Sequence, residues 1–289
     1  MSETTPRVGT SDTISLLCQK HGLRGYRDEI AALVRPAVDI TFTPSSIEEI
    51  AIGESRIGGL PDLPTNDKGL CWRGTYWPEI NGYAPEFFAQ FDLKQLRAFE
   101  ACSQLPATGS LLFFFTNSGK SHAKYGRRGH RILYTNEEHL HRPSEDWEMP
   151  ENLRYRPAKL TFRDSWKLPY VGHSAIQKLE MEQELLDRYD ALYRDWRVYY
   201  GICLPGAPRA WLFGYDDKFN CPENPEQEPP PALEAEVGRQ GWHHLLQLAD
   251  EHELLDMSIG DLGHLNFHIH PHYLAACDFN GTYFSIETT

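Results

Sequence analysis

Three short stretches of this 289-residue chain recur in the same order. Gly59-Leu60-Pro61-Asp62 is echoed by Gly214-Tyr215-Asp216-Asp217. Phe87-Phe88-Ala89-Gln90-Phe91-Asp92 is echoed, with one residue of slip, by His244-Leu245-Leu246-Gln247-Leu248-Ala249-Asp250. Gly109-Ser110-Leu111-Leu112-Phe113 is echoed by Gly263-His264-Leu265-Asn266-Phe267. Gly59 and Gln90 are 31 residues apart and Gly214 and Gln247 are 33; Gln90 to Gly109 is 19 and Gln247 to Gly263 is 16. Repeated units of this size have to bury their apolar faces against one another, so the echo constrains the fold more than any composition figure does. The reading is two similar halves, each with a turn, a central strand, a connection and a second strand, packed about a pseudo-twofold axis. The competing reading is that strand-turn-strand patterns resemble one another whatever their origin.

The repeated positions are read as structural braces. Gly59, Gly109, Gly214 and Gly263 stand where turns need backbone freedom, and Pro61, Asp62 and Asp261 stiffen the adjoining loops. A Gln inside an apolar strand has to have its amide hydrogen-bonded, so Gln90 and Gln247 are expected to brace the loops of their own halves.

The remaining pattern fills in an α+β chain rich in antiparallel strands. Residues 1–36 read as an N-terminal helical segment broken near Gly22 to Gly25, and Pro36 closes it because the residue before a proline avoids helical angles. Val38, Ile40 and Phe42 alternate with Asp39 and Thr41, which predicts a strand over 37–42. A short capped helix is expected at 46–50, strands at 87–91, 109–115 and 131–134, and a helix at 93–102. Residues 172–200 carry Ile176, Leu179, Leu186, Tyr189, Tyr193 and Trp196 on one stripe, the pattern of one long amphipathic helix docked on the body. The run 219–236 is acidic and proline-rich, which predicts an exposed loop. The body is therefore residues 37–289, with a first half over about 37–135, the long helix, and a second half over about 201–289.

Several of these segments together resemble the YwqG-like family of bacterial proteins. The resemblance rests on Ser55-Arg56-Ile57-Gly58-Gly59-Leu60-Pro61-Asp62-Leu63-Pro64, on Trp77-Pro78, on Phe88-Ala89-Gln90-Phe91-Asp92-Leu93, and on Gly109-Ser110-Leu111-Leu112-Phe113-Phe114. It continues through Leu212-Phe213-Gly214-Tyr215, Leu245-Leu246-Gln247-Leu248 and Ile259-Gly260-Asp261-Leu262-Gly263-His264-Leu265-Asn266-Phe267, spanning about residues 37–285. Ser258-Ile259 departs from the Trp that usually precedes the Gly-Asp pair in that family. The resemblance implies an α+β fold with no agreed enzyme activity or cofactor, and a setting beside secreted toxin genes for some members.

Charge narrows the function. Asp and Glu number 41 against 28 Lys and Arg, a net −13, which disfavours nucleic acid and anionic membrane surfaces as general partners and favours a basic protein. The expectation is a non-enzymatic, protein-binding chain, most concretely an immunity-type inhibitor that neutralises a basic secreted toxin, with a nuclease as one example. The acids at Asp216, Asp217, Glu223, Glu226, Glu228, Glu234 and Glu236 are the expected contact surface; solvated loop charge is the plainer reading of them. An intracellular scaffold is a further alternative. Six scattered cysteines, a polar start and no apolar run long enough to span a bilayer predict a cytoplasmic protein.

No nucleophile elbow, phosphate loop or HExxH string is present in the sequence, and no cofactor is expected. The basic residues Lys120, Lys124, Arg127, Arg128 and Arg131 read as a solvated hairpin tip. The sharpest chemical feature is His264, Asn266, His268, His270 and His272, which share one face if the whole run is a strand. Imidazoles so placed suit a metal, small-ligand or hydrolytic site; the plain alternative is a half-buried strand with a polar outer face. Asp216-Asp217 and Asp261 suit either acid–base work or ordinary turn capping.

Overall fold

The computed structural model describes residues 10–65, 80, 85–115, 129–143, 155–200, 210–216, 231–238, 241–249, 252–257 and 263–287. Twelve strands lie among them: β1 (Arg35–Pro44), β2 (Arg56–Ile57), β3 (Leu63–Pro64), β4 (Glu86–Asp92), β5 (Ser110–Phe115), β6 (His130–Thr135), β7 (Leu140–His141), β8 (Ala158–Lys167), β9 (Ala210–Phe213), β10 (His243–Ala249), β11 (His264–Ile269) and β12 (Thr282–Glu287). Ten of these form one antiparallel sheet in the order β12-β11-β10-β9-β1-β8-β2-β4-β5-β6, and β3 and β7 pair separately. The two edge strands approach each other, with His130 Nε2 on β6 lying 2.7 Å from Thr282 Oγ1 on β12 and the His130 ring 5.0 Å from that of Phe284. The sheet is thus nearly a barrel, which leaves little unpaired edge to water.

The centre of the sheet is the β1–β8 pair, joined in register from Arg35↔Lys167 to Pro44↔Ala158. The sequence pattern missed β8, because Lys159, Arg163, Asp164 and Lys167 mask the spacing of Leu160 and Phe162. Strands β5 and β11 are buried at every position, as expected for segments covered on both faces. Each has a bulged neighbour. Pairing of β4 with β5 slips between Phe87 and Ala89, and pairing of β10 with β11 slips between His244 and Leu246. The residues skipped, Phe88 and Leu245, are both fully buried in the main core. An extra residue in one strand re-aims the local side chains, and here it turns an apolar one inward.

That core is aromatic. Phe88 stacks on Phe267 at 5.5 Å, and Phe113 meets the same ring edge-on at 5.3 Å. Rings at this spacing add about 0.5–1.5 kcal/mol per pair beyond their buried area. They tie β4 and β5 to β11 across the interior. A second core joins the N-terminal helix Thr10–Lys20 to the helix Gln183–Tyr199 through Ile14, Cys18, Tyr189, Leu192 and Trp196.

Several expected elements differ. Residues 172–200 form two helices, Ser174–Gln177 and Gln183–Tyr199, because Glu180 between them adopts a left-handed φ of 49°. The helix expected over 93–102 is one turn at Leu93–Leu96 followed by a 3-10 turn at Glu100–Cys102. The end of the run read as an exposed loop is a helix, Pro231–Val237, with Leu233 and Val237 packed against the main core. Residues 219–230 and the basic run 120–128 lie outside the described residues. No helix among the described residues is long and apolar enough to cross a membrane.

Candidate functional site

The first half carries a buried ionic knot. Arg56 and Asp62 are wholly shielded from solvent, with Arg56 Nη1 2.7 Å from Asp62 Oδ2. Arg142 reaches the other oxygen at 2.8 Å through Nε, and its Nη1 donates to the carbonyls of Ile47 and Ile50 at 2.8 and 2.9 Å. Arg56 Nε donates to Leu60 O at 3.1 Å. Gln90 closes the knot: its Oε1 accepts the Asp62 N–H at 2.9 Å and its Nε2 donates to Asp62 Oδ2 at 3.0 Å. Burial pushes the Asp62 carboxyl up, but Arg56, Arg142 and the Gly53 N–H outweigh it and hold the group below its ordinary value. This arrangement is saturated with partners and pins the loop 50–62 to the sheet. Arg142 was not singled out from sequence, since it comes from a segment 80 residues away.

The left-handed turn that delivers Asp62 is steric in origin. Gly58 and Gly59 have φ of 66° and 68°, and a Cβ on Gly58 would lie 2.2 Å from the Arg156 carbonyl oxygen.

Strands β10 and β11 present a different surface. His244, Asn266 and His268 are buried side by side on β10 and β11. His244 Nδ1 lies 3.0 Å from the Phe213 carbonyl oxygen, a pairing only a ring N–H can make, so Nε2 keeps the lone pair. Burial pushes the His244 pKa down, against the pull of Asp216, so the ring is held neutral near pH 7. The His268 ring stacks on Tyr283 at 4.9 Å, and its Nε2 stands 4.0 Å from Asp216 Oδ2. Asn266 lies against His244 without closing a well-formed hydrogen bond, and among the described residues neither amide atom of Asn266, nor His244 Nε2, nor Ser285 Oγ has a hydrogen-bond partner.

Beside this stripe is a cavity of about 10 Å³, room for about one water, lined by Lys167, Arg197, Trp211, Tyr215 and Asp216 among others. Lys167 Nζ pairs with buried Asp39 at 2.6 Å and sits 4.3 Å over the Trp211 ring; Arg163 reaches the second Asp39 oxygen at 3.2 Å. Sequence reading missed Lys167 and Asp39 as a pair because their contact depends on β8.

The expected sites are redistributed accordingly. The histidine face is shorter than its spacing predicts. The strand stops at Ile269, and His270 instead caps the helix Pro271–Ala275 by accepting the His272 N–H at 3.1 Å. Pro271 at the first helical position enforces this. His264, Asn266 and His268 are buried rather than forming an outer polar face. Among the described residues no three His, Cys, Asp or Glu side chains gather closely enough to hold a metal. Asp216 is buried, so it forms no part of an exposed acidic surface. Glu236 is exposed and Glu234 half-buried on Pro231–Val237, while Asp217, Glu223, Glu226, Glu228 and Asp261 lie outside the described residues. Gly214 follows Phe213 in a left-handed turn, Gln247 is buried opposite Asn266 and Trp211, and Gly109 and Gly263 lead into β5 and β11. Pro61 is buried beside Asp62.

A nearly closed antiparallel sheet, flanked by a few helices and carrying one ionic knot and one buried polar stripe, defines this as an α+β protein of barrel-like build. The chain belongs to the DUF1963 family, a domain of unknown function, whose profile matches residues 55–287. The match takes in both the knot and the stripe and begins after β1, although β1 lies at the middle of the sheet. Comparison with curated proteins gives no match.

Proposed function

We propose that this protein works by binding a protein partner, most concretely as a cytoplasmic, immunity-type inhibitor that neutralises a basic secreted toxin. The observation that carries this reading is the net charge of −13. Surplus negative charge speeds encounter with a positive surface and rejects like-charged competitors. Glu234 and Glu236 extend the acidic run that begins at Glu223, and they sit on a short helix braced on the core. The resemblance to YwqG-like bacterial proteins, some of them beside toxin genes, supports the same reading. Co-purification with the product of the adjacent gene, joined to a toxicity-rescue assay, tests it. A salt-sensitive complex weakened by Glu234→Lys and Glu236→Lys is expected; no complex and no rescue overturns the reading. Native mass spectrometry of the endogenous assembly separates it from a scaffold role.

We also infer that the sheet arose by duplication of a four-strand unit. The strand order supports it, with β2-β4-β5-β6 on one side of the β1–β8 pair and β9-β10-β11-β12 on the other. In both units the bulge falls one to three residues before the glutamine, and that glutamine faces the strand on its other side at Arg56 or Trp211.

A second reading, small-ligand binding, is favoured by the buried stripe of His244, Asn266 and His268.

A further inference from the structure

Matching the two units by register turns the second half's stripe into a comparison. Counting from Gln90 and Gln247, Phe87 corresponds to His244. Counting from Gly109 and Gly263, Leu112 corresponds to Asn266 and Phe114 to His268. Leu133, opposite Leu112, corresponds to Ser285, opposite Asn266. In the first half these residues form a closed apolar cluster, Leu63, Phe87, Leu112, Phe114 and Leu133. The same face in the second half is imidazole, carboxamide and hydroxyl.

Burying polar atoms without partners costs each group its hydration with nothing in return. An apolar solution to this face is already present in the same molecule, so packing does not require the polar one. The polar set is selective in kind. His244 Nε2 is an acceptor, because Nδ1 is committed to Phe213 O. Asn266 offers two donors and an acceptor, and Ser285 offers a hydroxyl. All three groups are uncharged. Asp216, Lys167 and Arg197 line the neighbouring cavity, and Lys167 is already paired with Asp39. Against His244, Asn266 and Ser285 themselves a charged guest would lose its hydration without meeting a counter-ion. A guest whose groups both donate and accept satisfies all of these atoms at once.

We infer that the second-half stripe of His244, Asn266, His268 and Ser285 is a recognition site for a small, uncharged, hydroxyl-rich molecule of the sugar or polyol class. Entry is past Asp216, which lines the cavity and also stands 4.0 Å from His268. None of the four stripe residues lines that cavity, which holds about one water, so the guest has to open its own space between Asp216 and the stripe, and association is slower than free docking. The assignment deepens the small-ligand reading and rests on the proposed duplication; it does not depend on the protein-partner reading, since its residues lie on β10–β12 and neither Glu234 nor Glu236 is among them.

The test uses the full chain and ligand-observed NMR with D-glucose, D-ribose and myo-inositol as probes, and acetamide as the amide control. Saturable binding of at least one polyol is expected. The triple variant His244→Phe, Asn266→Leu, His268→Phe installs the first half's own residues; it is expected to fold with an undiminished melting temperature and to lose polyol affinity by at least about tenfold. Should that variant fail to fold, Asn266→Leu alone carries the comparison. Absence of saturable polyol binding by the natural chain, equal binding by the folded variants, or binding of acetamide in place of the polyols overturns the assignment.

Discussion

Phe213 shares the left-handed φ of Gly58. Phe213 and Gly214 have φ of 59° and 74°, against 66° and 68° for Gly58 and Gly59, and each pair stands at the C-terminal end of a strand that lies against a glutamine-bearing strand. A left-handed non-glycine residue costs about 1–3 kcal/mol and persists only where its surroundings demand it. At Phe213 the demand is burial: the ring is part of the main core and the carbonyl receives His244.

Gly58 has no such latitude. Gly58→Ala puts a Cβ 2.2 Å from the Arg156 carbonyl oxygen, so it is expected to destabilise by about 2–4 kcal/mol, with the Phe88 carbonyl losing its 2.8 Å bond from the Gly58 N–H as the turn shifts. Urea denaturation measures this; a loss under about 0.5 kcal/mol contradicts the steric account.

The knot around Asp62 predicts an asymmetry between its members. Asp62→Ala leaves Arg56 buried without its counter-ion and is expected to cost about 3–5 kcal/mol. Gln90→Leu removes neutral bonds only and is expected to cost about 1–3 kcal/mol. Chemical denaturation of the two variants ranks them, and the reverse order would refute the charge argument.

Stability should fall in mild acid. The folded pKa of His244 lies below its ordinary 6.5, chiefly through burial, and that of half-buried His243 moves the same way. The unfolded chain therefore takes up protons first. These groups leave stability unchanged above about pH 6.5 and subtract from it as pH falls below that value, until the folded-state sites fill. His244→Phe is expected to flatten this slope in thermal melts. Asp62 acts in a lower window: its contribution is intact above about 3.8 and is lost as pH falls toward its depressed folded value.

The thiols are graded by burial. Desolvation pushes Cys18 up to about 11 and Cys102 up to about 12, while Cys277 is exposed. Thiolate is the reactive form, so iodoacetamide at pH 8 is expected to label Cys277 well before the other two. Peptide mass spectrometry over a time course reads this directly; comparable early labelling of Cys102 would contradict the packing around it.

Local rules placed some of the molecule and failed at identifiable points. Alternation in 37–42 and the apolar run 109–115 mark β1 and β5 because each segment's own residues carry the period. Strand β8 escaped because its charges are neutralised by partners far along the chain, Lys167 by Asp39 above all. The histidine run was readable as a feature but not in extent: Pro271 ends the strand pattern, and only packing against β10 and β12 buries what remains.

Sequence alone determined the antiparallel α+β class and the surplus of negative charge, since periodicity, turn chemistry and net charge are properties of neighbouring residues or of simple sums. Tertiary structure decided which polar residues lie inside. Arg56, Asp62 and Arg142 converge only when segments 50–62 and 140–143 meet, and His244 and Asn266 become buried neighbours only when β10 pairs with β11. Burial of a charge or an imidazole depends on which distant strands cover it, and that is a property of the closed sheet rather than of any one segment.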